Sequence, residues 1–575
     1  MTKINAADKM VQVMADWGIK NVYGLPGDSV DTTVEALYRK RSEISFTQVR
    51  HEEVAALAAA AYGKLTGQVG VCLSIGGPGA IHLLNGLYDA KMDHAPVVAI
   101  VGQVATNVMN TGFFQEINTP ALFKDVAVYN KLVTSPASLP RLMDEALRQA
   151  YTYKGVAVLT IPDDIPEHKI TDDFVSSASN FHLETKSASL AEVDRALELL
   201  RHSKKPVVLL GKGAQNAGAE AKEFVEHYAL PFIQTMPAKG IIADDHPNSL
   251  GQLGKLGTKP AFEAMANADL LILIGTDYPY TSYLNQKIPA IQIDANANFI
   301  GHRHQVAAAI VADAKSALTL LNARGELVVN RPFLDACQQN MRIWRSWMNS
   351  VQNKSHEGVL PSKLFTTLSQ QAPDNVVWAI DVGTATSFGA RFLDVQPLQK
   401  YVISSWLGTM GCALPSALAA KQIWPRRPVY AVCGDGAFSM VMQDFVTAVK
   451  YKLPIVVIVL NNKMLSFIKY EQQAAGQQNY AIDLADIDYA KFAVACGGIG
   501  VNVKTDAEFA TALKQFQSPK RPVLINAAVA DEAPLPGKIV MDEAQGYLKF
   551  GWEYFKDKFQ IPQMPPLKEI MRQFF

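Results

Sequence analysis

The sequence predicts an α/β protein: three parallel-sheet domains followed by a C-terminal helical tail. Three observations carry this expectation. Short β-rich runs recur along the 575 residues, most of them apolar on both faces, as strands are when helices cover a sheet on both sides. Segments of helical length separate the runs, and strand alternating with helix means βαβ units and parallel sheets. Two polar stretches, SSASNFHLETKSAS (176–189) and NSVQNKSHEGVLPS (349–362), read as linkers and cut the series into three blocks.

The elements follow in chain order. PVVAIVG (96–102) and VAVLTIP (156–162) are strands of a first domain, 1–180, with SLPRLMDEALRQAY (138–151) as a helix between them. LAEVDRALELLRH (190–202) opens a central domain, 188–345, with strands PVVLLG (206–211), LLILIG (270–275) and AIQID (290–294). A third domain, 360–530, takes VVWAID (376–381), PVYAVCG (428–434), PIVVIVL (454–460) and PVLINAAV (522–529). In the remaining tail, 531–575, Leu548, Trp552, Phe555 and Phe559 share a helical face beside Lys549, Lys556 and Lys558. Leu567, Ile570, Met571 and Phe574 form a second stripe. Amphipathic segments rich in aromatics and lysine can lie on a membrane surface, although packing on the protein body is their commoner fate.

Composition excludes some classes. The 54 Lys+Arg balance 54 Asp+Glu, so no basic field speaks for nucleic acid. No apolar run nears the ~18 residues that span a bilayer, and the start, MTKINAADKM, lacks the apolar segment of a secretion signal. Cys72, Cys337, Cys412, Cys433 and Cys496 form no CxxC pair and read as core thiols of a reducing compartment. A cytoplasmic protein is expected.

Ligands of open parallel sheets bind beyond the carboxyl ends of strands. Two apolar runs end there on GDG (434–436) and NN (461–462). If those strands lie close in the sheet, the Asp435 carboxylate and the Asn462 amide oxygen converge. With a backbone carbonyl they make a hard oxygen site for Mg²⁺ or Ca²⁺, and the flanking glycines admit a diphosphate. A plain strand-to-helix turn with Asp435 as N-cap competes for GDG by itself. In the first domain QVRHEEVAALAAAAYGKLTG (48–67) begins an alanine-rich helix with two glutamates, its residues small enough for a cofactor ring to pack close. Spacing does not separate Glu52 from Glu53, and either suits a helix N-terminus through the dipole.

GDG, 24 residues, then NN resembles the signature of thiamine-diphosphate (ThDP) enzymes. The resemblance runs over nearly the whole chain and narrows to the pyruvate oxidases, which use ThDP, Mg²⁺ and FAD. It rests on YGLPGDS (23–29), QVRHEEV (48–54), GGPGAIHLLNGLYDA (76–90), FFQE (113–116), PAKGI (237–241), LGTKPA (256–261), IDVGT (380–384), LGTMG (407–411) and FIKYEQ (467–472). It implies that the three sheets are pyrimidine-binding, FAD-binding and diphosphate-binding domains. Glu52, directly after His51, becomes the acid against the aminopyrimidine ring. Asp435, Asn462 and the carbonyl of Met464 become the Mg²⁺ ligands. Met410 becomes the wedge that bends ThDP, and Gly408 meets the pyrimidine. Pro26, Gly27, Gly383, Thr384, Gly434, Gly436, Ala437 and Leu465 complete the ThDP contacts. Glu471, Phe114, Gln115, Val382, His82 and Ser29 line the pyruvate side, with Phe467 between ThDP and flavin. The FAD residues are Gly211, Gly213, Ala214, Thr235, Pro237, Ala238, Lys239, Lys255, Gly275, Thr276, Tyr278, Pro279, Asp294 and Asp313. Taken singly, the Phe and Met residues would read as core and the aspartates as caps.

The implied activity is oxidative decarboxylation of pyruvate through hydroxyethyl-ThDP, with electrons passing to FAD. A quinone acceptor gives acetate and CO₂; O₂ with phosphate gives acetyl phosphate and H₂O₂; an acetohydroxyacid synthase-type carboligase is the more distant alternative. Asp28 and Lys255 depart from the phosphate-using pattern, since a carboxylate repels phosphate and lysine lacks the bidentate fork of arginine. SSWLGTMGCALP (404–415), FIKYEQQAAG (467–476) and PLPGKIV (534–540) look closest to the quinone-linked branch. The family pattern also implies a site shared by two subunits, hence a dimer, paired into a homotetramer. With quinone as partner, the tail is expected to touch the inner face of the cell membrane.

Overall fold

The structure, a computed structural model, describes residues 2–324, 331–353 and 355–533. The expected tail therefore lies, from residue 534 on, outside the described residues. Three sheets are built entirely of parallel strands. The first runs, edge to edge, Ser45–Gln48, Asn21–Gly24, Gly70–Ser74, Val97–Gln103, Val156–Pro162 and Ala127–Leu132. The central one runs Phe232–Gln234, Pro206–Leu210, Leu270–Ile274, Ala290–Ile293 and Ala308–Ile310. The third runs Lys400–Val402, Val377–Ile380, Val429–Gly434, Val456–Asn461, Val523–Ala528 and Ile499–Val503. A small antiparallel pair, Lys3–Asn5 with Lys169–Thr171, ties the chain start to the end of the first domain.

Numbered from each domain's own start, both six-stranded sheets run 2-1-3-4-6-5, and the central sheet runs 2-1-3-4-5. All three thus reverse direction between strands 1 and 3, the switch point at which such sheets open a crevice beyond their carboxyl ends.

Inner strands such as Val97–Gln103 and Val456–Asn461 are buried at every position, which is why they read as unbroken apolar runs. Helices close both faces. Leu190–His202 begins with a full capping box, Ser189 and Glu192 bonding each other's backbone N–H. The linker at 176–189 carries only the short turn Ala178–Asn180 before that helix. The second linker is shorter than expected. Arg331–Val351 continues helically into it, because Leu334, Cys337, Met341, Trp344 and Met348 keep a helical spacing against the core, and Pro361–Gln371 begins at its end.

The first and third domains share one core. The alanines of helix Glu52–Thr66 do not line an open cradle: Ala55, Ala56, Ala58, Ala59, Ala60 and Ala61 are at most 1 % exposed. They pack in one cluster with Ala413, Ala417 and Ala420 of helix Ala413–Ile423. Small side chains let the two helices and the sheets behind them approach closely, so the alanine run serves domain packing. At the same seam Lys64 Nζ lies 2.6 Å from both Asp89 Oδ2 and Asp93 Oδ2 and donates to the Ile403 carbonyl. Ser405 of the third domain donates to Asp93 through its backbone N–H and its hydroxyl.

A second carboxylate across this seam yields a prediction. Asp444, fully buried, accepts from the Arg50 backbone N–H (2.8 Å) and the Thr447 hydroxyl, while its Oδ2 has no partner. Burial pushes this carboxyl up to about 6. A folded-state value above the unfolded one means that Asp444 favours folding most below about pH 4, and that this contribution fades as pH rises through about 6. Asp444→Asn, which keeps the accepting oxygen, is expected to raise the melting temperature at pH 7. The underlying term is at most on the order of 3 kcal/mol, and the gain should vanish near pH 4. Thermal unfolding of both proteins at pH 4, 5, 6 and 7 checks this; a variant less stable at pH 7 rejects it.

Candidate active site

The strand ends of the third sheet assemble the carboxylate and amide that the sequence singled out. Val429–Gly434 and Val456–Asn461 are neighbours, with Gly434 opposite Leu460. Asp435, 3 % exposed, does not cap its own helix. Its Oδ1 accepts from Gly436 N (2.8 Å), and its Oδ2 reaches across to Lys463 N (2.6 Å), the residue after Asn462. Burial raises the pKa of this carboxyl despite those N–H donors. Among the described residues no lysine or arginine side chain pairs with it. Asn462 donates from its amide nitrogen to the Ser466 hydroxyl, which leaves Oδ1 as its available ligand atom. The Met464 carbonyl accepts from Ser466 N and keeps a second lone pair. A buried carboxylate with no cation beside it, an amide oxygen and a carbonyl fit a small hard divalent ion.

Around this group the chain leaves room. A Cβ built on Gly383, Gly408 or Gly434 would meet nothing within 4 Å. Gly383 and Gly408 need glycine for their φ of +130° and +69°. Gly434 is in ordinary extended backbone, φ −72°, and among the described residues no contact explains its lack of a side chain. A ligand held close to the backbone does. Beside it, Gly436 is crowded by Leu465 (2.7 Å from a built Cβ) and by the Met410 methyl (3.5 Å), with Ala437 buried behind.

Asp381 holds this end of the sheet together, and sequence reasoning passed over it for its neighbours. It is fully buried and accepts from Val382 N, Gly411 N and Ala413 N at 2.9–3.0 Å. It thereby fixes Val382, Gly383 and Thr384 against the loop bearing Gly408 and Met410. Burial still lifts its carboxyl to about 6.

In the first domain Glu52 begins its helix at 6 % exposure, and His51 caps that helix by accepting from Glu53 N. Glu52 Oε2 lies 2.9 Å from His82 Nδ1, and the His51 and His82 rings stack at 4.5 Å. His51, Glu52 and His82 offer three possible ligand atoms within 4.8 Å of one another. Near-parallel rings point their lone pairs alongside rather than together, so an acid steered by histidine fits them better than a metal does. Gly79 is small where a Cβ would come 3.2 Å from Glu52 Oε1. Glu53 differs from Glu52 in being committed elsewhere: it accepts from Asn85, which also donates to Thr409 of the third domain. Pro26 and Gly27 lie in the loop at this sheet's switch point, where Gly27 packs on Ile75. Ser29 accepts from Gly76 N. The Glu116 carboxylate gathers the N–H groups of Asn110, Gly112 and Phe113 and so shapes a loop that leaves Phe114 75 % exposed. Gln115 follows at φ +63°, against Gly77. Among the described residues no contact joins Glu52 to Asp435; each faces its own crevice.

The central-domain candidates sit at the carboxyl ends of their strands. Gly211 and Gly213 pack on Gly275, where side chains would collide with Gly275 and Thr276 backbone and side-chain atoms. Ala214, Thr235, Pro237 and Ala238 continue that edge. Lys239 is committed to a buried ion pair with Asp244 (2.6 Å), so only its main chain is left for a ligand. Asp313 is used locally, accepting from Lys315 N, whereas Asp294, just past its strand, accepts from Asn296 N, and burial raises the pKa of its carboxyl. Tyr278, next to Pro279, has a buried hydroxyl with no partner. Lys255 crosses to the third domain: its Nζ is 2.9 Å from Glu471 Oε1 and 5.7 Å from the centre of the Phe467 ring.

Family models agree with this geometry. Residues 4–122, 193–321 and 381–527 match the N-terminal TPP-binding, central and C-terminal TPP-binding domains of thiamine pyrophosphate enzymes. The chain is 44 % identical over 578 residues to a thiamine pyrophosphate-containing protein, YdaP, of Bacillus subtilis (strain 168), spanning all of both. It is 35 % identical over 583 residues to pyruvate oxidase of Lactiplantibacillus plantarum, covering all of this chain and 96 % of that one. It is 30 % identical over 550 residues to the acetolactate synthase isozyme 3 large subunit of Escherichia coli (strain K12), covering 92 % and 95 %. With three matched domains and full-length similarity of this order, the chain belongs to the thiamine pyrophosphate-dependent enzymes.

Proposed function

We propose that the protein is a pyruvate oxidase that uses ThDP, Mg²⁺ and FAD, decarboxylates pyruvate and passes the electrons to a quinone, releasing acetate and CO₂. The observation that carries this reading is the Lys255–Glu471 pair beside Phe467. It sets the ligand edge of the central sheet against the helix Ser466–Ala474, which starts two residues beyond Met464. Full-length similarity to a pyruvate oxidase, at 35 % against 28–30 % for acetolactate synthases, supports the same choice.

When bound, ThDP supplies the carbon nucleophile and electron sink of decarboxylation, and FAD accepts the electron pair. The chain's own residues do the rest. Asp435, Asn462 and the Met464 carbonyl hold the metal, and Gly383, Gly408 and Gly434 leave space for the coenzyme. Glu52, 6 % exposed and steered by His82, would meet the aminopyrimidine ring and exchange a proton with it. The His82 side chain, 43 % exposed, connects that acid to solvent. Phe114, Gln115, Val382 and Glu471 orient pyruvate and exclude water.

A second copy of the chain completes the site in this reading. Ile81 (50 % exposed), Phe113 (50 %) and Phe114 on the first domain, and Met440 (55 %), Ile468 (43 %) and Tyr480 (82 %) on the third, are large apolar groups at the edges of the two crevices. A symmetric partner covers both sets and brings its Glu52 to this chain's Asp435, and two such dimers make the tetramer. Lys255, already neutralised by Glu471, offers no free charge to phosphate, which favours acetate over acetyl phosphate. A membrane-dissolved quinone places the protein in the cytoplasm at the inner membrane face. Among the described residues no helix is long and apolar enough to cross a membrane.

Anaerobic addition of pyruvate to the holoenzyme is expected to bleach the flavin, with rapid reoxidation by a soluble quinone and acetate as product. Reoxidation by O₂ that depends on phosphate, with acetyl phosphate formed, would reverse the acceptor. Acetolactate without net flavin reduction would replace the oxidase reading by a carboligase.

A further inference from the structure

The helix Ser466–Ala474 turns a polar stripe inward. Its buried residues are Ser466, Lys469 and Gln473, all of them polar, while Ile468 is exposed. A helix on a domain surface ordinarily buries an apolar stripe. Among the described residues no member of this one belongs to a hydrophobic core cluster. Polar bonds hold it instead. Ser466 accepts from the Asn462 amide, and Lys469 Nζ, on a residue 8 % exposed, pairs with Asp531 Oδ2. The other oxygen of Asp531 accepts from the Tyr470 hydroxyl at 2.6 Å.

Adjacent parallel strands bring these groups to one place. Asn461, the last residue of its strand, is in register with Ala528, the last of the neighbouring strand. The helix follows shortly after the first strand end, and Asp531 shortly after the second. The backbone fixes the chain on both sides of Asp531. Val529 N donates to the Asn461 carbonyl (3.1 Å) and Ala530 N to the Val359 carbonyl (2.9 Å). The Glu532 carboxylate accepts from Ser362 N (2.8 Å) at the start of the helix Pro361–Gln371. An ammonium so far out of water has to be paired. The bond from Lys469 to this firm post therefore sets how deep the helix sits.

Each helical residue turns the chain by about 100°, which puts Phe467 and Glu471 on one face and Lys469 on the opposite one. The front face meets Lys255 of the central domain, through Glu471 and over the Phe467 ring. The back is tied to Asp531. We propose that Asp531 is a positioning residue, which through Lys469 and Tyr470 sets the depth and rotation of this helix and so the place of Phe467 and Glu471 over the substrate. The inference rests on the proposed function, from which those two residues take their role, and adds to it a group that touches neither substrate nor coenzyme.

Asp531→Asn keeps an oxygen for the Tyr470 hydroxyl and takes the counter-charge from Lys469. In the holoenzyme, hydrogen exchange of the amides of Ser466–Ala474, read by mass spectrometry, is expected to quicken at least ~10-fold while that of Val456–Asn461 is unchanged. Flavin bleaching at saturating pyruvate is expected to slow about 10- to 100-fold, as a misplacement of about 1 Å does. Affinity for ThDP at fixed Mg²⁺ stays that of the wild type, whereas a merely structural loss would lower rate and affinity together. The exchanged pair, Asp531→Lys with Lys469→Asp, is expected to restore part of the rate. Lys469→Met, which leaves no buried charge unpaired, is expected to melt no lower than the wild type and still to bleach slowly. An Asp531→Asn protein that exchanges and bleaches as wild type does sinks the proposal. So does a helix that opens with no loss of rate, or a loss of rate matched by a loss of ThDP affinity. Wild-type protein that pyruvate does not bleach overturns the oxidase reading, and the place given to Phe467 and Glu471 falls with it.

Discussion

Glu52→Gln is expected to leave folding and coenzyme uptake intact and to cut pyruvate-dependent flavin bleaching by ~10²–10⁴-fold. The side chain keeps its shape and can still meet His82 Nδ1, 2.9 Å from Glu52 Oε2. What disappears is a group able to take a full proton in a pocket that leaves it 6 % exposed. An amide cannot replace it, because it has no carboxylate oxygen to accept the proton. Glu53→Gln is the control: that carboxylate accepts from Asn85 and is expected to affect the rate only a few-fold. Anaerobic stopped-flow absorbance with saturating pyruvate separates the two. A Glu52→Gln protein that retains a tenth or more of the wild-type rate would remove Glu52 from the chemistry.

The second large effect is expected at Asp435. Asp435→Asn should abolish the rise in melting temperature caused by Mg²⁺ with ThDP and weaken ThDP binding by at least ~100-fold, or about 2.7 kcal/mol. The carboxylate is 3 % exposed, accepts from the backbone N–H groups of Gly436 and Lys463, and has its pKa raised by burial. In the proposed function it is a charge kept out of water for an ion to neutralise, and an amide removes that charge while filling the same space. Calorimetric titration with ThDP at fixed Mg²⁺ is the measurement. Unchanged affinity would mean that Asp435 only braces the Lys463 backbone.

Much of the fold was legible because buried parallel strands advertise themselves. Val156–Pro162 and the helix Leu190–His202 fall on the residues read from the sequence alone. Edge and short strands such as Ser45–Gln48, Ala127–Leu132 and Lys400–Val402 gave no such signal, since partial exposure breaks the apolar run. The shared 2-1-3-4-6-5 order was invisible for another reason: topology repeats here without any short-period repeat in the residues. In the site, Asp435 and Asn462 were legible because adjacent strands deliver consecutive loops to one place. Asp381 was not, since its meaning lies in three N–H groups, two of them about 30 positions away. The alanine run was visible but misassigned, because small residues suit a neighbouring helix as well as a coenzyme ring.

The Lys64 cluster has a consequence for how the enzyme is loaded. Lys64, Asp89 and Asp93 all belong to the first domain and neutralise one another there at 2.6 Å, so parting that domain from the third would break only the bonds to the Ile403 carbonyl and from Ser405, not the ion pairs. No charge lock thus holds the two domains together while the coenzyme is taken up; that task falls to their shared alanine-lined core.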